Sequence, residues 1–110
     1  MGKPVKGDVV VILFPFSDFS TGKRRPALVV ADLKGDDIIL TQITTSRRAD
    51  DYSISLTQSD FQSGGIWQNS NIRPNRLFTV DSKIITKVAG RLSQGKTNEV
   101  INKIVEIVKS

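Results

Sequence analysis

The chain has 110 residues and a net charge of +5, from 16 Lys and Arg against 11 Asp and Glu, and it contains neither Cys nor His. This length predicts one domain, over residues 1–110, with one continuous core. The lack of Cys and His excludes disulfides, thiolate nucleophiles, Cys- or His-based metal sites and acid–base catalysis by His. Any chemistry must therefore be carried by Arg, Lys, carboxylates, hydroxyls or backbone groups. We expect neither a metal nor a cofactor.

The positive charge favours a polyanionic partner, and nucleic acid is the commonest such partner of a small basic domain. Solubility alone is the alternative explanation for a charge of this size. No stretch approaches the ~20 apolar residues of a membrane span. The basic N-terminus leads into Pro15 without a small-residue cleavage site, which is not the pattern of a signal peptide. We expect a cytoplasmic protein that makes no contact with membranes.

Three apolar segments rich in β-branched residues predict strands in the first half of the chain: Val9–Phe16, Ala27–Leu33 and Ile38–Thr44. A polar loop over Ser17–Arg24 separates the first two strands. The short turn Lys34–Asp37 contains a glycine, which predicts that the second and third strands form a hairpin.

Further strands are predicted after a charged loop over residues 46–51: Tyr52–Leu56, Leu77–Val80 with Ile72 before it, and Ile84–Leu92. The segment Ser59–Gly65 is predicted as a loop with one short helical turn. Val100, Ile104 and Val108 recur every four residues and predict an amphipathic C-terminal helix, with Thr97 as its N-cap. Together these elements predict a mainly β fold, a small and partly open barrel closed by a helix.

Arg25 is the first candidate functional residue. It precedes Pro26, so its backbone is restricted to extended geometry. A guanidinium on such a rigid base can hold a phosphate through a planar fork of donors. Lys23 and Arg24 make this segment a basic cluster. The alternative is an exposed Arg whose only role is solubility.

The end of the third predicted strand carries a second group of phosphate donors: Thr44, Thr45, Ser46, Arg47 and Arg48. Hydroxyls and guanidiniums at one sheet edge can all donate to phosphate oxygens. A polar turn after a β-branched strand is the alternative reading of this segment.

A third group begins at Arg73, which again immediately precedes a proline and is followed by Asn75 and Arg76. Upstream, Trp67 lies in a loop rich in glycine and amides, where its ring could stack on an RNA base, an interaction worth about 1–3 kcal/mol. The acidic pairs Asp36-Asp37 and Asp50-Asp51 lie in predicted turns, and adjacent residues point to opposite faces. Neither pair is expected to bind a metal.

These segments, in this order, resemble the MazF/PemK family of toxin ribonucleases, which includes Kid-like members. Gly7-Asp8, an apolar strand, a variable loop and Arg25-Pro26 before a small-apolar strand reproduce the opening pattern of the family. Ile43-Thr44 falls on the family's strand-end Thr, and Thr79-Val80-Asp81 reproduces its Thr-apolar-Asp step. The resemblance runs from Gly7 to the Leu92-Ser93 step.

The chain departs from the family pattern at one position. Part of the family carries Arg-x-Asp where this chain has Arg73, Pro74 and Asn75. An amide cannot accept a proton at any relevant pH, so the acid–base pairing of those relatives is not carried over intact. The general base stays open, because an Arg with a free pKa above about 12 is a poor base unless it is strongly perturbed.

The resemblance implies an SH3-like barrel with a C-terminal helix, as in MazF, Kid and CcdB, and a homodimer. It implies metal-independent cleavage of single-stranded RNA to 2′,3′-cyclic phosphate and 5′-hydroxyl ends, and a cognate antitoxin whose acidic or apolar tail occupies the RNA groove. Arg25 would stabilise the transition state, with proton transfer to the leaving oxygen as a further candidate role. Thr44 would donate to the phosphate, and Arg73 would be a second phosphate clamp. The implied RNA-binding residues are Lys23, Arg24, Thr45, Ser46, Arg47, Arg48, Trp67, Asn75 and Arg76.

Two other functions stay open on the sequence alone. A non-catalytic SH3-like module could bind RNA or DNA by charge. A toxin of the same fold could instead act on a protein target, as the gyrase-poisoning members of this fold do.

Overall fold

The computed structural model describes residues 3–13, 24–46 and 50–110. Within these ranges one antiparallel sheet contains seven strands: β1 Asp8–Leu13, β2 Arg24–Asp32, β3 Asp37–Thr44, β4 Ile54–Leu56, β5 Phe61–Gly64, β6 Ser70–Asp81 and β7 Ile85–Leu92. Their spatial order is β4-β6-β3-β2-β1-β7-β5. Two 3-10 turns, Gln58–Asp60 and Ser82–Ile84, and the helix α1, Gln94–Lys109, are the other elements of these ranges. The curled sheet with one C-terminal helix confirms the predicted mainly β, SH3-like fold.

Strand alternation divides the buried residues between two faces of the sheet, because successive residues of a strand point to opposite sides. The face that packs against α1, called the helix face, carries the cluster Val9, Leu28, Val30, Ile43, Ile54, Leu56, Ile72, Leu92 and Val100. The other face, called the second face, carries Val10, Ile12, Ala27, Val29, Ile38 and Leu40, with Phe78, Val80 and Ile85 packed against them.

Strand β2 begins at Arg24, three residues before the predicted start at Ala27. The added residues pair with β1, since Arg24 lies opposite Leu13 and Arg25 lies opposite Ile12. Arg25 is therefore part of the sheet and not of the loop before it. The last residues of the predicted first strand and most of the predicted loop fall in residues 14–23, outside the described ranges.

Two predicted boundaries in the middle of the chain are wrong. Strand β4 starts two residues later than predicted, because the side chain of Asp50 binds the backbone N–H groups of Tyr52 and Ser53 and holds them in a turn. The short helical turn predicted within Ser59–Gly65 is confirmed as a 3-10 turn, but the rest of this predicted loop is β5, which pairs with β7. Its polar sequence gave no strand signal, so pairing with a neighbour decides its structure.

The helix begins at Gln94, so the predicted N-cap at Thr97 is wrong. Ser93 is the N-cap, and its hydroxyl accepts from the backbone N–H of Lys96 at 3.2 Å. The backbone N–H of Ser93 is itself held by the carbonyl of Asp60 at 2.8 Å, which fixes the cap at the end of β7. Thr97 lies buried in the first turn. No helix of the described ranges is long and apolar enough to cross a membrane.

A bulge in β6 sets the position of Arg73. The pairing with β3 jumps from Thr41 opposite Leu77 to Gln42 opposite Arg73, so residues 74–76 project from the ladder. The proline at the first bulged position is tolerated because it has no N–H to donate to the ladder. Buried Thr41 closes the bulge, since its hydroxyl donates to the carbonyl of Arg73 and lies 3.3 Å from the carbonyl of the last bulged residue.

We expect Thr41→Val to lower the free energy of unfolding by about 1–3 kcal/mol, because part-buried carbonyls of the bulge lose their donor while the side-chain shape is kept. Urea unfolding followed by circular dichroism measures the change. Thr79→Val, at an exposed position of β6, is the matched control and should change stability by less than about 0.5 kcal/mol. Equal losses in the two variants would contradict the role of Thr41.

Candidate functional site

Arg25 lies on the second face, because it alternates in phase with the buried residues Ala27 and Val29. The residue is half-buried, and its Nε atom is buried without a hydrogen-bond partner among the described residues. A buried donor left unpaired costs about 1–3 kcal/mol, so such groups usually have a reason to exist. Arg25 is not a freely exposed strand-start residue, and its Nε donor has no partner among the described residues.

Arg73 has the same property on β6. Its side chain is 12% exposed, and its Nε atom is buried without a hydrogen-bond partner in the part of the chain that the structure describes. Its Nη2 atom donates to Oδ2 of Asp50 at 3.1 Å. Because the guanidinium is planar and rigid, this contact fixes the direction of its other donors.

Strand pairing brings Thr44 between the two arginines. Gln42 of β3 pairs with Ala27 of β2 on one side and with Arg73 of β6 on the other. Thr44 lies two residues further along β3, and the same β2–β3 register, continued past its last pair, places Arg25 opposite Thr44. Strand spacings of about 4.8 Å and a rise of about 3.3 Å per residue put the Cα atoms of Arg25 and Arg73 roughly 12 Å apart. Two Arg side chains can close that distance around one anion, and we call Arg25, Thr44 and Arg73 the second-face site.

Among the described residues, the Thr44 hydroxyl takes part in a hydrogen bond only as an acceptor. Its Oγ1 accepts from the backbone N–H of Ser46 at 3.1 Å, and an accepting hydroxyl can still donate its own proton. Asn71, the partner of Thr44 on β6, donates from its side-chain amide to the carbonyl of Ser46 at 3.2 Å and fixes the strand end. Asn71 and Gln42 were not predicted as site residues, because their place beside the site follows only from the register of β3 and β6.

Asp50 is the acidic partner of Arg73, and the sequence did not reveal it. Its Oδ1 accepts from the N–H groups of Tyr52 and Ser53, at 2.9 and 2.8 Å, and from the Ser53 hydroxyl at 3.0 Å. The hydrogen bond from Tyr52 and then that from Ser53 lower the pKa of Asp50, and the charge of Arg73 adds to the effect. The carboxyl is therefore ionised at neutral pH. The predicted turn at Asp50 is right, but its contact with Arg73 joins positions 23 residues apart.

Arg24 and Thr45 lie on the opposite side of the sheet from the second-face site. With Trp67 they line a cleft of about 900 Å³, called the helix-face cleft. On the sequence alone, Arg24 forms a group with Arg25, and Thr45 forms a group with Thr44. Adjacent residues of an extended chain point to opposite faces, so the structure divides each of these pairs. The candidate residues form two surfaces where the sequence suggested one.

Trp67 is 98% exposed at the rim of the helix-face cleft. The loop before it is held in place by Gln58, whose amide donates to the Gly64 carbonyl at 2.8 Å and accepts from the Ile66 N–H at 3.3 Å. Gly64 has φ +68°, and a Cβ there would lie 2.3 Å from the carbonyl oxygen of Ala89, so only glycine fits. An exposed indole on a fixed loop is available to stack on a flat ligand.

The other predicted site residues lie on the surface or outside the described ranges. Asn75 and Arg76 are exposed in the β6 bulge, and Ser46 is exposed after β3. Three predicted contacts lie outside the described residues: Lys23, Arg47 and Arg48. In the described ranges no three Asp or Glu side chains come together in a group that could hold a metal ion.

Solved structures share the fold at low sequence identity. MazF (Form-I) from Deinococcus radiodurans has a TM-score of 0.78 and 16% identity, with 100% of both chains covered. MazE-MazF (Form-II) from the same organism has a TM-score of 0.74 and 18% identity, with 98% of this chain and 97% of that chain covered. An endoribonuclease from Mycobacterial species has a TM-score of 0.74 and 16% identity, with 99% of this chain and 94% of that chain covered.

At the level of sequence, no curated protein matches the chain. A family model does match, and its description is "PemK-like, MazF-like toxin of type II toxin-antitoxin system". The match covers residues 5–108, which include the second-face site and the lining of the helix-face cleft. Since nearly the whole chain is matched, this protein belongs to the PemK-like, MazF-like family of toxins of type II toxin–antitoxin systems.

Proposed function

We propose that this toxin is an endoribonuclease that cleaves single-stranded RNA at specific sequences without a metal ion and so inhibits translation and growth. The observation that carries the proposal is the second-face site, where two guanidinium Nε atoms are buried without partners among the described residues, on either side of a strand-end hydroxyl. The net charge of +5 supports a nucleic-acid ligand. A fold neighbour named an endoribonuclease supports the reaction.

The proposed reaction is a displacement at phosphorus. The ribose 2′-oxygen attacks the adjacent phosphate, so its bond to phosphorus forms while the bond to the 5′-oxygen breaks. The 2′-hydroxyl loses a proton, the 5′-oxygen gains one, and the products are a 2′,3′-cyclic phosphate and a 5′-hydroxyl. Negative charge grows on the non-bridging oxygens in the transition state, and donors already held in position stabilise it most.

Each residue of the second-face site has its own proposed role in this reaction. Arg25 and Thr44 donate to the oxygens on which charge grows, and Arg25 is the candidate proton donor to the 5′-oxygen. Arg73 holds the same or a neighbouring phosphate as a clamp. Phosphate oxygens would accept from the guanidinium N–H groups of both arginines, and charge-assisted hydrogen bonds of this kind are the strong ones.

The helix-face cleft extends the proposed RNA-binding surface around the strand ends. Arg24 and Thr45 are neighbours in sequence of Arg25 and Thr44, so an RNA strand that crosses the ends of β2 and β3 meets both faces. Arg24 then binds a flanking phosphate, and Trp67 stacks on a flanking base. Further proposed RNA contacts are Lys23, Ser46, Arg47, Arg48, Asn75 and Arg76.

A cognate antitoxin, a homodimer and a cytoplasmic location complete the proposal. A MazE-MazF structure stands among the fold neighbours, which supports an antitoxin that occupies the RNA groove of this chain. Toxins of such pairs need a partner that blocks the active surface, and a basic groove favours an acidic segment. We also propose that toxin and antitoxin together bind DNA.

The metal-free reaction can be tested directly. We expect the purified protein to cleave a mixed single-stranded RNA in EDTA, because guanidinium and hydroxyl donors supply the charge stabilisation. End mapping should show 2′,3′-cyclic phosphates and 5′-hydroxyls. Cleavage that disappears in EDTA and returns with magnesium would overturn the mechanism. Binding without cleavage would indicate a non-catalytic nucleic-acid module, and neither binding nor cleavage would favour a protein target such as gyrase.

We expect Arg25→Ala to reduce the single-turnover cleavage rate at saturating protein by about 10²–10³-fold, the usual effect of removing one preorganised donor. Its circular dichroism melt should change little, because removal of the unpaired Nε atom relieves a cost while removal of the half-buried side-chain stem loses packing, and the two effects oppose each other. Arg73→Ala should keep measurable cleavage and mainly weaken RNA affinity, with a smaller dependence of binding on salt.

Lys109→Ala, at the exposed end of α1, is the charge-matched control for both variants and should cleave as the wild type does. If Arg73→Ala slows the chemical step more than Arg25→Ala, the centre of the reaction lies on β6 and the assignment of Arg25 is wrong.

We expect a homodimer, because one small barrel offers too little concave surface for several nucleotides. Two chains of +5 give a dimer of +10, which favours a basic groove between them. Analytical ultracentrifugation at tens of micromolar, on the order of ordinary assay concentrations, should show the dimer. A monomer at that concentration would count against the proposed groove.

A further inference from the structure

In the part of the chain that the structure describes, a contact with Asp50 sets the direction of the Arg73 guanidinium. Nη2 of Arg73 donates to Oδ2 of Asp50 at 3.1 Å, and the two side chains are 12% and 26% exposed. A long Arg side chain has several rotatable bonds, so a clamp needs such an anchor to aim its donors. With Nη2 engaged, the buried Nε atom is left without a partner among the described residues.

Asp50 uses its two oxygens for two separate tasks. Oδ1 alone holds the turn, through the N–H groups of Tyr52 and Ser53 and the Ser53 hydroxyl. Oδ2 binds Arg73. The carboxylate therefore stands on a fixed backbone, and its position does not depend on the arginine that it contacts.

We propose that Asp50 is a positioning residue for RNA binding: anchored in its own turn, it aims the guanidinium of Arg73 at a phosphate of the substrate. This inference rests on the proposed function. It gives Arg73 the carboxylate that Asn75 does not provide, and it comes from a different loop. The anion also offsets part of the positive charge of Arg73, which makes Arg73 a directional clamp and leaves Arg25 as the stronger charge.

For Asp50→Asn, the loss of the charge and the loss of the anchor predict opposite changes in RNA affinity. The experiment can therefore distinguish the two effects. Removing an anion beside a polyanion should by charge alone strengthen RNA binding. Loss of the anchor should weaken it. The amide keeps Oδ1 as an acceptor and can still form the turn, but its NH₂ group cannot accept from Nη2 of Arg73.

We expect Asp50→Asn to weaken binding of a non-cleavable, 2′-deoxy-substituted single-stranded RNA by about 10-fold, since small misplacements of a positioned group can cost up to 10²-fold. Fluorescence anisotropy at fixed salt measures the affinity. Asp51→Asn makes the same charge change at the exposed neighbouring residue and should leave affinity unchanged or slightly stronger. If Asp50→Asn binds the RNA with the same affinity as Asp51→Asn, the proposal is overturned.

The effect must pass through Arg73. In the Arg73→Ala background, Asp50→Asn should produce no further loss of affinity, because the group that it positions is absent. An equal loss in both backgrounds would show that Asp50 acts on the turn alone and would overturn the positioning role. Failure of the wild type to bind or cleave any RNA is a different result, and it overturns the proposed function.

Arg73→Lys tests the same contact without touching the turn of Asp50. Lysine keeps the charge but lacks the planar fork, so it cannot bind a carboxylate and a phosphate in one fixed plane. We expect a loss of affinity of the same order as for Asp50→Asn, with circular dichroism melts as the folding control. Wild-type affinity in Arg73→Lys would contradict the proposal even if Asp50→Asn proved unstable.

Discussion

The position of β3 between β2 and β6 is the constraint on which the candidate site depends. Its pairing fixes Gln42 against Ala27 on one side and Arg73 on the other, and a slip of one residue would send every side chain to the opposite face. Without the bulge, the register that pairs Thr41 with Leu77 would pair Gln42 with Arg76. The bulge brings Arg73 into the ladder instead and leaves Arg76 exposed, so a buried Thr in the core selects which arginine reaches the site.

The second-face site combines apolar burial with unused donors, and the two are related. Arg25 stands beside the apolar cluster of Val10, Ile12, Ala27 and Val29, where the local dielectric constant is below that of water. A donor in such surroundings costs stability when it is unpaired, and it binds an anion more strongly when one arrives. Core residues on both faces of the sheet must offset this cost. In the proposed mechanism, the same burial that makes the unpaired donors unfavourable in the free protein strengthens their interaction with the charge on a bound phosphate.

Periodic patterns predicted much of the fold, and single hydrogen bonds account for where the prediction was wrong. Apolar segments rich in β-branched residues predicted the hairpin of β2 and β3, and apolar residues at four-residue spacing predicted the C-terminal helix. Both predictions were right because burial decides these elements. The start of β4 depends on the turn at Asp50, and the start of the helix depends on the choice of Ser93 over Thr97. Strand β5 is polar and exists through its pairing with β7. The turn at Asp50 and the cap at Ser93 are local hydrogen bonds that the apolar pattern does not record. Only β5 depends on a partner distant in sequence, which no local pattern contains.

Asp50, the acidic residue at the candidate site, also could not be predicted from a local sequence pattern, and it bears on the proposed function. A sequence motif records neighbours along the chain, whereas a guanidinium needs only a carboxylate that is near in space. Asn75 removes the acid from the motif, but Asp50 returns one to Arg73 from another loop. In the proposed mechanism Asp50 does not replace the missing acid as a proton acceptor, because the hydrogen bonds from Tyr52 and Ser53 lower its pKa and its Oδ2 atom accepts from Arg73. In our proposal it anchors a clamp instead, and the chemistry is concentrated on β2 and β3, at Arg25 and Thr44.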